Sequence, residues 1–140
     1  MSLTKEMILQ QCNAVCKNTL METLDIEFVD LTEDSLTARM PVTSKVHQPD
    51  GVLHGGASVA LAESVGSAGA MVLLKRDDVS IRGIEIAANH VKGVREGYVY
   101  AKATVLHKGR TTQLWQVRIV NEANELVSQV KFTTITLPKA

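Results

Sequence analysis

The chain has 140 residues, a formal net charge of zero and a charged fraction of 21%. That length suits a single domain with one sizeable core, and the neutral balance lacks the basic surplus that nucleic-acid binding uses. Residues 1–20 scatter their charges and hold no apolar run of the signal-peptide kind, so the expected location is cytoplasmic.

In chain order, residues 4–19 place Ile8, Cys12, Val15 and Thr19 on one helical face, with Lys and Gln opposite. This spacing predicts a short amphipathic helix covering an edge or end of the core. Cys12 and Cys16 lie one helical turn apart with no companion His or Cys cluster. They read as free thiols in a reducing compartment, not as a metal site or a disulfide framework. Residues 24–30 and 35–42 are strand-like, and Thr32-Glu33-Asp34 between them is a polar turn, which together predict a hairpin.

The stretch at residues 47–74, HQPDGVLHGGASVALAESVGSAGAMVLL, organises the rest. Residues 51–74 carry one charge, Glu63, where the chain's own charged fraction would place about five. Pro49, Asp50 and Gly51 form turns, and residues 57–74 hold no Pro. The expectation is a loop feeding a helix that starts near Gly55 or Gly56 and runs to about Leu74, with protein on most sides. Small residues at Ala60, Gly66, Ser67 and Ala70 would let a sheet pack close. A membrane span over residues 57–74 is disfavoured by Glu63 at mid-span and by the Gly and Ser content.

A carboxylate buried in such a helix must be paired, neutral or used. Glu63 and Ser67, four residues apart, share one helix face. Two glycines at a helix start allow close backbone approach, and the unpaired N–H groups there favour an oxyanion. Donors for a developing negative charge, with a carboxylate nearby, are the parts of acyl-transfer chemistry. The plain alternative is a Glu63 satisfied by a neighbouring hydroxyl or amide.

Beyond the helix, residues 75–78 are a charged stop. Residues 80–91 alternate, putting Ile84, Ile86, Ala88 and His90 on the face toward the helix and Glu85 and Asn89 on the other. Arg95-Glu96-Gly97 closes a turn, and further strands are predicted over 98–106, around Trp115, Val117 and Ile119, and over 126–137. The last of these mixes polar and apolar residues on both faces. The sum is an α+β chain: an antiparallel sheet of five to six strands with one buried helix, in a single domain over residues 1–140.

The stretch QPDGVLHGGASVALAESVGS, with IEIAANHVKGVREG and LHKGRTTQLWQV downstream, resembles the hotdog-fold acyl-CoA thioesterases. The subgroup it resembles contains the 4-hydroxybenzoyl-CoA and 1,4-dihydroxy-2-naphthoyl-CoA thioesterases and PaaI-like proteins. The resemblance covers residues 24–137; one departure is Asp50, where the family usually has an aromatic residue. It implies a sheet wrapped around the central helix and hydrolysis of an acyl-CoA thioester, with an aromatic acyl group as the first expectation.

By the same resemblance Glu63 is the catalytic carboxylate and the Gly55 amide polarises the thioester carbonyl. Gln48 and His54 position the thioester, Ser67 orients the attacking group, and His90 lines the pocket. The family pairs a free sheet edge into a homodimer, and its dimers associate into a homotetramer. The site is then shared, His54 and Gly55 of one subunit facing Glu63 and Ser67 of the other. Glu63 lies eight residues into the helix, about 12 Å from its own N-terminus, so a partner's carboxylate reaches where its own does not.

The CoA phosphates need cations, and Lys92, Arg95, Lys108 and Arg110, the last two flanking Gly109, are the candidates. No metal or redox cofactor is implied, CoA being part of the substrate, and no nucleic-acid or membrane partner is expected. A hotdog hydratase would use an Asp with a His in place of a helix-borne Glu with HGG. A non-catalytic acyl-CoA sensor would carry a DNA-binding segment in front, where about 20 residues precede the first strand.

Overall fold

The computed structural model describes residues 2–139. At its centre is α3 (Gly55–Leu74), a 20-residue helix that ends on Lys75 in the left-handed conformation at φ 53°. Its buried residues are Ser58, Leu61, Ala62, Val65, Gly66, Gly69, Ala70 and Leu73. That spacing of three and four draws one stripe along the helix, and the stripe faces the sheet. Glu63 and Met71 on the opposite side are exposed. The expectation of protein on most sides is therefore corrected for the single chain. The sheet covers one face of α3, and the small apolar residues on the other remain open or half-open.

The sheet has six strands: β1 (Glu27–Leu31), β2 (Ser35–Pro41), β3 (Val79–His90), β4 (Tyr98–Lys108), β5 (Thr112–Val120) and β6 (Leu126–Pro138). Their order is β1-β2-β4-β5-β6-β3, and every neighbouring pair is antiparallel. Trp115 and Phe132, the largest fully buried side chains, reach from β5 and β6 toward α3. A Cβ on Gly66 would come within 2.5 Å of Phe132 Cδ2, and one on Gly83 within 2.7 Å of its Cε1. Phe132 thus fits between two residues that must lack side chains, which sets how closely helix and sheet pack.

The polar residues that break the pattern of the last strand have partners in the core. Trp115 Nε1 donates to Thr134 Oγ1 at 3.0 Å, and Thr134 Oγ1 donates to Gln113 Oε1 at 2.8 Å. Gln113 Nε2 in turn donates to the Gly109 carbonyl at 3.0 Å. A hydrogen-bonded chain of this kind offsets the cost of taking these polar groups out of water.

Two local expectations are corrected. The first helix is α1 (Lys5–Ala14), capped by the Thr4 side chain, and a separate short turn of helix, α2 (Leu20–Thr23), follows it. Asn18 at φ 63° breaks the path between them, so Val15 is left 72% exposed while Cys12 and Cys16 stay buried. In β3 the register shifts between Gly83 and Glu85. Ile84 is the extra residue of this bulge and is 55% exposed, so it does not share the helix-facing side with Ile86 and Ala88.

The two sheet edges differ. β1 has five residues and is covered by α1. There the Asn13 side chain donates to the Phe28 carbonyl at 3.1 Å and accepts from the Phe28 amide at 2.7 Å, taking the place of a neighbouring strand. Lys5 also pairs with Asp30 across this edge, and its ammonium holds the pKa of the carboxyl below its ordinary value. β3 has twelve residues and an open outer edge.

Candidate active site

The turn before α3 is tightly tied. Gly51, at φ 83°, donates its amide to the Gln48 carbonyl at 2.9 Å, and the Gln48 amide donates to Val52 O at 2.8 Å. Leu53 and His54 then donate to Val94 O and Val46 O, both at 2.8 Å. His54 is the N-cap, and its Nδ1 accepts from the Gly56 amide at 2.8 Å. Since an amide only donates, this nitrogen carries no proton, and in the neutral ring the proton is on Nε2. The His54 carbonyl accepts from Ala57 and Ser58. The Gly55 amide has no acceptor among the described residues. It is an open donor at the positive end of a 20-residue helix.

His90, the last residue of β3, stands beside it. Its Nδ1 lies 2.7 Å from Ser128 Oγ on β6, and its Nε2 lies 2.9 Å from where a Cβ on Gly55 would be. The glycine is therefore required by the approach of the imidazole, independently of backbone freedom. Gln48, Gly55, Ser58, His90, Lys92 and Ser128 line a cleft of about 380 Å³ here. Lys92 pairs with Glu125 at 3.5 Å. Arg95 Nη1 donates to the Asp50 carbonyl at 3.4 Å, and the Arg95 carbonyl lies 2.8 Å from His47 Nε2.

Glu63 and Ser67 are elsewhere. With Ala68, Met71 and Val72 they face α1 across an apolar groove of about 820 Å³, whose other wall includes Ile8, Cys12, Cys16 and Phe28. Burial pushes the pKa of both thiols above its ordinary value, which keeps them protonated at neutral pH. Glu63 was expected to be buried; it is exposed, with Oε2 2.9 Å from the Cβ position of Gly83. The absence of a side chain at Gly83 makes the room the carboxylate occupies. Cleft and groove share no lining residue, and eight helical residues, about 12 Å, separate Gly55 from Glu63.

A sequence model of the thioesterase superfamily matches residues 50–128, a span that includes Gly55, Glu63, His90 and Ser128. The chain belongs to that superfamily. Its match to the 1,4-dihydroxy-2-naphthoyl-CoA hydrolase of Escherichia coli is 41% identical over 133 residues, covering 95% of this chain and 97% of the relative. The proofreading thioesterase EntH of Cronobacter turicensis is also 41% identical over 133 residues, with 95% and 96% covered. Among solved structures, a mutant thioesterase from Pseudomonas aeruginosa superposes with a TM-score of 0.91 at 40% identity, over 94% of each chain. The sheet wrapped around α3 is the hotdog fold of this family.

In this superfamily member the basic loop after β4 lies at the other end of α3. Lys108 Nζ donates to the Leu73 carbonyl at 3.3 Å, so the lysine caps the helix C-terminus. The Arg110 carbonyl accepts from Arg76 Nη1 at 2.7 Å and from Thr136 Oγ1 at 2.8 Å. Gly109 is needed by the turn itself, because a Cβ there would fall 2.5 Å from the Thr112 carbonyl. Within one chain Lys108, Gly109 and Arg110 are separated from Gly55 by the length of α3, about 28 Å. Lys92 and Arg95 are at the Gly55 end.

Sequence reasoning passed over Ser58, Gly83 and Ser128. Ser128 becomes visible only through the pairing of β3 with β6, which places it opposite His90. Gly83 had a signal, a glycine inside an alternating strand, and such a glycine marks a bulge or a close approach. Among the described residues no group of three His, Cys, Asp or Glu side chains is placed to hold a metal.

Proposed function

We propose that the protein hydrolyses an acyl-CoA thioester, with the unpaired Gly55 amide as the observation that carries the reading. The thioester carbonyl oxygen accepts from this amide, where the helix dipole favours the charge that develops on attack. Gln48 and His54 hold the thioester beside it. Glu63 either attacks the carbonyl as nucleophile, giving a mixed anhydride that water then hydrolyses, or takes a proton from the attacking water as general base; Ser67 orients the attacking group, and CoA leaves as the thiolate. The match to a hydrolase named for an aroyl-CoA supports an aromatic acyl group. The wide apolar groove beside Glu63 is suited to such a group.

The two halves meet through a second copy. Pairing the open edge of β3 with itself, antiparallel about a dyad through Ala87 and with Ile84 as the extra residue of the bulge, sets Gly83 opposite His90 of the partner subunit. Glu63 lies beside Gly83 and Gly55 beside His90, so each Glu63 then faces Gly55 of the partner subunit. The active unit in this reading is a homodimer, and dimers associate further into a homotetramer. Lys92 and Arg95 near the cleft, with Lys108 and Arg110 of another subunit, supply cations for the CoA phosphates. The two free, buried thiols fit a cytoplasmic setting.

The test is release of free thiol from a panel of aroyl- and alkyl-CoA thioesters, followed by subunit mixing. Glu63→Gln and Gly55→Val should each be inactive alone. Refolded together at equal amounts they should regain about a quarter of wild-type activity, since half the dimers are mixed and each of those has one intact site. No recovery on mixing, with mixed dimers present by mass, would show that the site lies within one chain.

A further inference from the structure

Ser128 is fully buried on β6, directly across the ladder from His90. Its hydroxyl carries a proton that must be donated, because an unmet buried donor costs as much as a lost hydrogen bond. The acceptor within reach among the described residues is His90 Nδ1, at 2.7 Å. If Nδ1 carried a proton instead, Ser128 Oγ would accept it and the hydroxyl's own proton would be stranded without an acceptor among the described residues. Nδ1 is therefore the acceptor, and the proton of the neutral ring sits on Nε2. That nitrogen points to the space over Gly55, 2.9 Å from the glycine's Cβ position. It has no acceptor among the described residues, and neither has the adjacent Gly55 amide.

Two N–H groups without acceptors, side by side at a helix N-terminus, call for an oxygen from the substrate. We infer that Ser128 is a positioning residue that holds His90 as the Nε2–H tautomer, making the imidazole a second donor, with the Gly55 amide, to the thioester carbonyl oxygen. This rests on the hydrolase reading above and adds to it one residue and one proton. Nothing covalent is asked of His90. Its hydrogen bond shortens as charge builds on the oxygen, so its contribution falls on kcat more than on KM. Gly55 is then constrained twice, since any side chain there would displace the ring that completes the donor pair.

The experiment has a spectroscopic arm and a kinetic arm. In protein labelled with 15N-histidine, long-range proton–nitrogen correlations of the wild type should show His90 protonated at Nε2 and bare at Nδ1. A wild-type His90 protonated at Nδ1 overturns the inference, whether or not any thioester is hydrolysed. Absence of hydrolysis with the Nε2–H tautomer in place would instead remove the functional reading and leave the positioning intact. Ser128→Ala should release the ring into a mixture of tautomers. It should lower kcat about three- to tenfold, the worth of one hydrogen bond, with KM changed by less than about twofold.

The same substitution made in His90→Ala should have no further effect on kcat. An equal loss in both backgrounds would mean that Ser128 acts on packing and not through His90. Should Ser128→Ala fail to fold, Ser128→Cys keeps a buried, weakly donating group at the position. It should give kcat between the wild type and His90→Ala, and a value below His90→Ala would overturn the inference.

Discussion

The two ends of α3 are built in opposite ways. At the Leu74 end a side chain from β4 closes the helix: Lys108 donates to the Leu73 carbonyl, and Arg76 and Thr136 fasten the neighbouring loop through the Arg110 carbonyl. At the Gly55 end the His54 cap takes the Gly56 amide, and among the described residues neither the Gly55 amide nor the Nε2 of the adjacent His90 imidazole meets an acceptor. Every helix starts with four unpaired amides, and folding alone would favour satisfying them all. Here stability is secured at the closed end, while the open end keeps its donors for something outside the chain. The contrast separates residues that hold the helix from residues that use it.

The largest effect should come from the carboxylate that the open end is proposed to serve. Glu63→Gln keeps size and hydrogen-bonding capacity, and both proposed routes need the charge. We expect kcat to fall at least about a hundredfold. The side chain is exposed in the single chain, so thermal stability should stay within about 0.5 kcal/mol. Hydrolysis near the wild-type rate would remove Glu63 from the chemistry. Ser67→Ala, touching only the orientation of the attack, should cost less.

Gly55→Ala tests the open end directly. Alanine is the better helix former by up to about 1 kcal/mol, so a purely structural position would tolerate or gain from the change. Because the new methyl would fall 2.9 Å from His90 Nε2, we expect kcat to drop at least about tenfold with the thermal midpoint held or raised. Loss of stability with unchanged kcat would reverse the assignment of this end.

The closed end should give the smallest effects. Lys108→Ala should cost about 0.5–1 kcal/mol of stability, as one cation near a helix C-terminus contributes, and leave kcat unchanged. If the lysine of one subunit also meets the CoA phosphates bound to another, KM for acyl-CoA should rise while KM for a short thioester without the nucleotide does not. Equal KM on both substrates, with the stability loss present, would leave Lys108 a helix cap alone.

Much of this architecture was legible in the sequence. One charge in residues 51–74 and a Gly-Gly pair marked α3 to within a residue, because burial excludes charge and helix starts tolerate glycine. Alternation and polar turns located all six strands, and the HGG and ALAE segments carried the family resemblance. Both are local properties, written in neighbouring residues. Periodicity could not locate the bulge at Ile84, which depends on how β3 meets β6, nor the exposure of Glu63, since a helix apolar on all sides does not say which partner covers each. Lys108 and Arg110 look alike in sequence, yet the Lys108 side chain caps α3 while Arg110 offers the loop its carbonyl. The pairing of His90 with Ser128, 38 residues apart, exists only because the ladder brings the two strands into register. Sequence spacing encodes faces and ends; which face meets which, and where a proton rests, was decided by the packing of distant segments.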